Sequence, residues 1–152
     1  MITTLRRILL AEDSENDIEL TLAALANHHV ANEIVVVRDG VEALDYLRRK
    51  GAYADRSPEN PALILLDLKM PRVDGIQVLR EVKSDPALRS IPVVMLTSSR
   101  EEQDVVNTYN LGVNAYVVKP VEFHDFMEAV KVLGQFWAVV NELPPPRSTT
   151  PS

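Results

Sequence analysis

Short apolar runs alternate along the chain with longer stretches in which apolar residues recur every three or four positions. The runs occupy residues 8–11, 34–37, 63–66, 93–96 and 115–118. Their length and β-branched or leucine-rich content predict strands. Between them, Ile18, Leu22 and Leu25, with Ala26, predict a first helix. Asp39-Gly40 opens a second, with Val41, Ala43, Leu44 and Leu47 on its apolar side. A third is centred on Ile76, Leu79 and Val82, and a fourth on Val105, Val106 and Tyr109. A long final helix is predicted over residues 122–141. The pattern is strand then helix, five times.

The strand runs are continuously apolar rather than alternating, which implies burial on both faces, as in a parallel sheet covered by helices. Right-handed crossovers leave few arrangements. The expected fold is α/β, a flavodoxin-like doubly wound five-stranded parallel sheet in the order 2-1-3-4-5. A closed barrel would need about eight such repeats. Residues 1–143 read as one domain. Residues 144–152 contain Pro144, Pro145, Pro146 and Pro151 and read as a frayed tail. The polar loop 50–61 reads as a tolerated surface insertion.

The final helix carries more apolar surface than one core stripe uses. Phe126, Val130, Leu133, Trp137 and Val140 share a face, while Phe123, Val132, Phe136, Val139 and Leu143 fall elsewhere. Such a helix is buried on more than one side. The surplus is expected to meet a second subunit in a symmetric homodimer, with a tail folded back over it as the alternative.

The 152 residues are 46% hydrophobic, enough for one packed core. No cysteine is present, which excludes disulfides and thiolate metal sites. Acidic residues outnumber basic ones 22 to 16, for a formal charge of −6. A nucleic-acid interface would need a basic stripe. The densest basic cluster, Arg48, Arg49 and Lys50, instead complements the end of its own helix. No apolar run approaches the roughly 18 residues of a membrane span, and residues 1–7 lack the features of a signal peptide. These absences point to a cytoplasmic protein with no nucleic-acid or membrane partner.

Ligands of an open parallel sheet bind at the carboxyl ends of its strands, near the reversal of strand order. Strand one ends in Glu12-Asp13, strand three in Asp67, strand four in Thr97-Ser98 and strand five in Lys119-Pro120. Three clustered carboxylates repel one another unless a cation intervenes. Magnesium suits an all-oxygen set of this kind. Asp13 and Asp67 are the expected direct ligands, with Glu12 holding a metal-bound water and the Lys69 backbone carbonyl a further candidate. With Mg2+ present, Asp67 can attack phosphorus as a nucleophile. Lys119 would offset charge on the transferring group, and Thr97 would donate its hydroxyl to the product. No general base is expected, because a carboxylate is ordinarily ionised near pH 7.

Plainer alternatives stand beside each residue. Asp13 or Thr97 could cap the helix that follows it. Lys119 could be a surface residue before a turn, and Tyr116 a core-edge aromatic. His28, His29 and His124 need no metal role, and Met70 reads as packing.

In this combination the residues resemble the receiver domains of two-component response regulators, over about residues 5–141. The acidic pair resembles Glu12-Asp13. The phosphoacceptor segment resembles Asp67-Leu68-Lys69-Met70-Pro71, followed by Asp74-Gly75. The switch hydroxyl resembles Thr97, the switch aromatic Tyr116, and the Lys-Pro pair Lys119-Pro120. The resemblance implies phosphorylation of Asp67 by a sensor histidine kinase, a cis peptide between Lys119 and Pro120, and a switch in which Thr97 and Tyr116 alter the face of helix four, strand five and helix five. That face is where a homodimer is expected. The loop 50–61 and Phe136-Trp137 resemble single-domain regulators that partner bacterial phytochromes, which implies a bacteriophytochrome as the kinase. Signal output by protein contact or onward phosphotransfer follows from the expectation that no output domain lies beyond residue 143. A phosphatase is the rival enzyme class. Phosphatases of the aspartyl-phosphate type carry an acid two residues after the nucleophile, and Lys69 stands there instead. A phosphate-independent adaptor is the other rival, and it has no need of clustered carboxylates.

Overall fold

A computed structural model describes residues 7–26, 33–113 and 115–134. Its elements run β1 (Arg7–Ala11), α1 (Glu15–Ala26), β2 (Glu33–Val37), α2 (Gly40–Arg48), a single 3-10 turn (Gly51–Tyr53), β3 (Leu63–Asp67), α3 (Gly75–Ser84), β4 (Val93–Thr97), α4 (Arg100–Thr108), β5 (Tyr116–Val118) and α5 (Phe123–Val132). The strands form one parallel sheet in the order β2-β1-β3-β4-β5. This is the expected order. Burial follows from it: β3 and β4 are buried throughout, whereas the edge strands β2 and β5 are partly open.

The continuous apolar runs are divided by the two-residue period of a strand. Leu9, Ala11, Ile64, Leu66, Val93 and Met95 face one core with α2, α3 and Val106 of α4. Ile8, Leu10, Leu63, Leu65, Val94 and Leu96 face the other with α1 and α5. One run of sequence thus fills two cores, which is why no alternation is visible in it.

Helix starts are set locally. Asp39 caps α2 by accepting from Glu42 N at 2.8 Å, Asp74 caps α3 by accepting from Gln77 N at 2.9 Å, and Ser99 caps α4 by accepting from Glu102 N at 3.3 Å. These short polar side chains satisfy amides that the first helical turn leaves free.

Two expectations change. In α4, Val106 is buried, but Val105 and Tyr109 are 50% and 47% exposed, because only one side of this helix meets the sheet. The helix α5 spans Phe123–Val132, Gly134 turns left-handed at φ 71° just beyond it, and the part of the expected helix past residue 134 lies outside the described residues. Phe136, Trp137, Val139, Val140, Leu143 and the tail 144–152 lie outside the described residues, as do His28 and His29. The loop 50–61 is also more than an insertion. The Arg56 guanidinium lies 4.3 Å over the Tyr46 ring and donates to the carbonyls of Tyr46, Leu47, Ser57 and Glu59. Arg7 reaches the Tyr46 hydroxyl at 3.3 Å and Ser57 Oγ at 2.7 Å. No helix among the described residues is long and apolar enough to cross a membrane.

Phe126 is fully buried between α5 and the sheet, whereas Val132 is 61% exposed. Phe126→Ala should therefore lower the unfolding free energy by about 3–5 kcal/mol. Val132→Ala should stay within about 0.5 kcal/mol of the parent chain. Urea unfolding of the two variants checks the contrast.

Candidate functional site

Strand register gathers the polar residues at one rim. Ala11 pairs with Leu66, which sets Glu12 beside Asp67. Asp67 pairs with Leu96 and Thr97 with Val118, so Thr97 and Lys119 each stand one step further out. Lys119 N donates to the Thr97 carbonyl at 2.8 Å, and the Lys119-Pro120 peptide is cis.

One ammonium serves three carboxylates. Lys119 Nζ is 3.0 Å from Glu12 Oε1, from Asp17 Oδ2 and from Asp67 Oδ1. Glu12 is fully buried and Asp67 is 4% exposed, while Asp13 is open to solvent. One carboxylate oxygen each from Glu12, Asp13 and Asp67 lies within 4.8 Å of the other two. An all-oxygen cluster with excess negative charge fits a hard divalent cation. Lys69 lines the same cleft as Asp13, together with Met70, Pro71 and Asp74.

Protonation energies reflect the imbalance. Burial, then the neighbouring Glu12 charge, pushes the Asp67 carboxyl up to about 7, against the pull of Lys119. In the absence of a cation, burial and Glu12 thus favour the protonated form of Asp67, whereas the expectation of an ionised nucleophile applies with the metal in place. Burial alone would depress the Lys119 ammonium, but hydrogen bonds to Glu12, Asp67 and Asp17 hold it above its usual value.

Thr97 is fully buried, and its hydroxyl has no hydrogen-bond partner among the described residues. Leaving a buried hydroxyl unpaired is destabilising. The capping alternatives do not apply here. Ser99 caps α4, and Ser14 Oγ accepts from Asp17 N at 3.3 Å at the start of α1, so neither Thr97 nor Asp13 fills that role. Tyr116 is half-buried. Its hydroxyl donates to the Asn107 side chain on α4 and sits 3.2 Å from the Val113 carbonyl.

The glycine of Asp74-Gly75 has a steric reason. A Cβ on Gly75 would stand 2.2 Å from the Asp67 carbonyl oxygen, and Gly75 N donates to the Leu68 carbonyl at 2.9 Å. The start of α3 therefore presses directly on the backbone of Asp67.

Two residues of the site were not singled out in the sequence. Asp17 touches Lys119, and its signal was its place one helical turn beyond Asp13. Glu102 accepts from Ser98 N at 2.7 Å and pairs with Lys69 at 3.2 Å. Its signal was the Ser99-x-x-Glu102 pattern of a capping box.

The family model of the response regulator receiver domain matches residues 8–131. Response regulator Rcp1 of Synechocystis sp. is 42% identical over 137 residues, which cover 90% of this chain and 92% of Rcp1. The solved Mn(2+)-bound form of Rcp1 superposes with a TM-score of 0.69 at 41% identity, over 92% of this chain and 99% of that one. The bacteriophytochrome response regulator AtBRR gives a TM-score of 0.87 at 61% identity, over 92% of this chain and 100% of that one. The phosphorylated cyanobacterial phytochrome response regulator RcpA gives 0.70 at 47% identity, over 88% of this chain and 94% of that one.

Folding raises the Asp67 carboxyl from 3.8 to about 7, so between those values the folded chain holds a proton that the unfolded chain has released. The stability from this group is full below about pH 4 and is lost as pH rises through about 7. In chelator, urea unfolding of the parent chain should show this fall. Asp67→Asn should flatten it, and an unchanged slope in that variant would assign the proton elsewhere.

Proposed function

The chain belongs to the response regulator receiver domain family, a family of phosphoacceptor signalling domains, and on that premise we propose that Asp67 accepts the phosphoryl group from a sensor histidine kinase. The observation that carries this reading is the buried Thr97 hydroxyl, without a partner among the described residues, at the rim where Lys119 meets Asp67. An unsatisfied donor beside an ammonium suits an anion that arrives later.

In the transfer, the phosphorus–nitrogen bond of phosphohistidine breaks as a phosphorus–oxygen bond forms to an Asp67 carboxylate oxygen. The imidazole leaves with the bonding pair and takes a proton from solvent. Magnesium, held by Asp13 and Asp67 with Glu12 and the Lys69 carbonyl in support, would supply positive charge to the equatorial oxygens. Lys119 leaves part of its three-carboxylate cluster to pair with the phosphoryl group. Thr97 donates its hydroxyl to a phosphoryl oxygen. Tyr116, tied to Asn107 on α4, follows that movement and changes the face of α4, β5 and α5. The size of the change is set by how differently the two states bind the phosphoryl group.

We assign a bacteriophytochrome as the kinase, from the likeness to AtBRR, and place the protein in the cytoplasm. Output through a second copy of the chain is supported by the α4–β5–α5 face. There the exposed side chains of Val118 and Val132 border a groove with Gln103, Asp125 and Glu128. The net negative charge of the chain supports the absence of a nucleic-acid partner.

Incubation with acetyl phosphate and magnesium should add one phosphoryl group by intact mass, and chelator should prevent it. Asp67→Asn should abolish the adduct. Undiminished labelling of that variant would end the reading. Val118→Asp should shift sedimentation toward monomer, and a parent chain that is monomeric with and without phosphorylation would remove the homodimer.

A further inference from the structure

We propose that Glu102 is a positioning residue, a built-in anion that ties the two loops at the rim of the site together and lets go when Asp67 is phosphorylated. This inference rests on the phosphoacceptor reading and adds a residue to it. Glu102 Oε1 accepts from Ser98 N at 2.7 Å, and its Oε2 lies 3.2 Å from Lys69 Nζ. Lys69 is two residues past Asp67, and Ser98 directly follows Thr97. One carboxylate therefore links the β3–α3 loop to the β4–α4 loop.

This is more than a helix cap. A glutamate three residues after a capping serine ordinarily reaches back to the amide of that serine. Glu102 reaches past Ser99 to Ser98 and takes Lys69 as well. Its side chain is 15% exposed although its partner Lys69 is 81% exposed, so the carboxylate lies inward along the loops. The Ser98 amide and Lys69 hold it below the usual carboxyl range, and Lys119 contributes in the same direction.

A phosphoryl group brings about −1.5 to −2 charge and three acceptor oxygens. That charge repels Glu102, and those oxygens compete with it for nearby donors. Release of Glu102 removes the tether on the first turn of α4, the helix that carries Asn107 against Tyr116. The device links charge on Asp67 to the position of α4.

The test compares the parent chain with Glu102→Gln, which keeps an acceptor for Ser98 N, and Glu102→Ala, which removes both contacts. Both variants should take label from acetyl phosphate in saturating magnesium roughly two- to five-fold faster than the parent, the scale of a partly exposed ion pair. Hydrogen exchange in residues 99–104 of the parent should quicken when beryllofluoride, a stable mimic of an aspartyl phosphoryl group, is added. In Glu102→Ala it should already be quick and change little further. A merely structural cap would leave exchange in the parent indifferent to the mimic. Variants that label no faster than the parent, or a parent whose α4 ignores beryllofluoride, would overturn the inference while leaving the phosphoacceptor reading in place. Failure of the parent itself to take label would overturn both.

Discussion

An excess of carboxylate over ammonium at the end of the central strands governs the site. Lys119 lies 3.0 Å from three carboxylates, and two of them, Glu12 and Asp67, are buried. No rearrangement of these four groups balances their charge. The folded chain can relieve the imbalance by holding a proton on Asp67, by binding a cation, or by both in sequence.

The rest of the fold makes that imbalance tolerable. The hydrophobic sheet beneath it is buried on both faces, with α1 and α5 on one side and α2, α3 and α4 on the other. Apolar burial contributes on the order of 25 cal/mol per Å², and it is spread over many residues that take no part in the chemistry. The rim can therefore carry an unpaired Thr97 hydroxyl and crowded carboxylates without loss of the fold. Gly75 couples the two regions mechanically, because the start of α3 rests against the Asp67 carbonyl and leaves no room for a side chain.

The proposed switch would draw on a small number of contacts. The loop after β3 and the loop after β4 meet through Lys69 and Glu102, and α4 meets β5 through Asn107 and Tyr116. Few apolar residues of α4 are buried; Val106 is the one that reaches the core. A helix held largely by polar contacts at its two ends can shift at low energetic penalty when one of those contacts changes. Exposure of Val105 and Tyr109, which the helical spacing alone placed toward the core, is the structural trace of that loose attachment.

Local chemistry along the chain was enough to place the strands and the start of α2, and the handedness of crossovers turned that strand-helix succession into the doubly wound order. The strands and that start depend on neighbours a few residues apart: apolar runs for β1, β3 and β4, and Asp39 ahead of Gly40. The starts of α1 and α4 fell to Ser14 and Ser99 rather than to Asp13 and Thr97, because neighbouring short polar side chains are equally able to cap. The rim residues were legible because a parallel sheet sends every strand end to one edge, so position in the strand implied position in space. Tertiary structure alone decided what depends on distant side chains. Arg7 and Arg56 bind the loop 50–61 to Tyr46, Asp17 joins Lys119 from a different element, and Glu102 crosses between loops. It also decided protonation. An isolated aspartate is ionised at neutral pH, but burial and Glu12 act together on Asp67 only once the chain has folded. Periodicity carries information about faces; it carries none about which charged side chain on one element finds which partner on another.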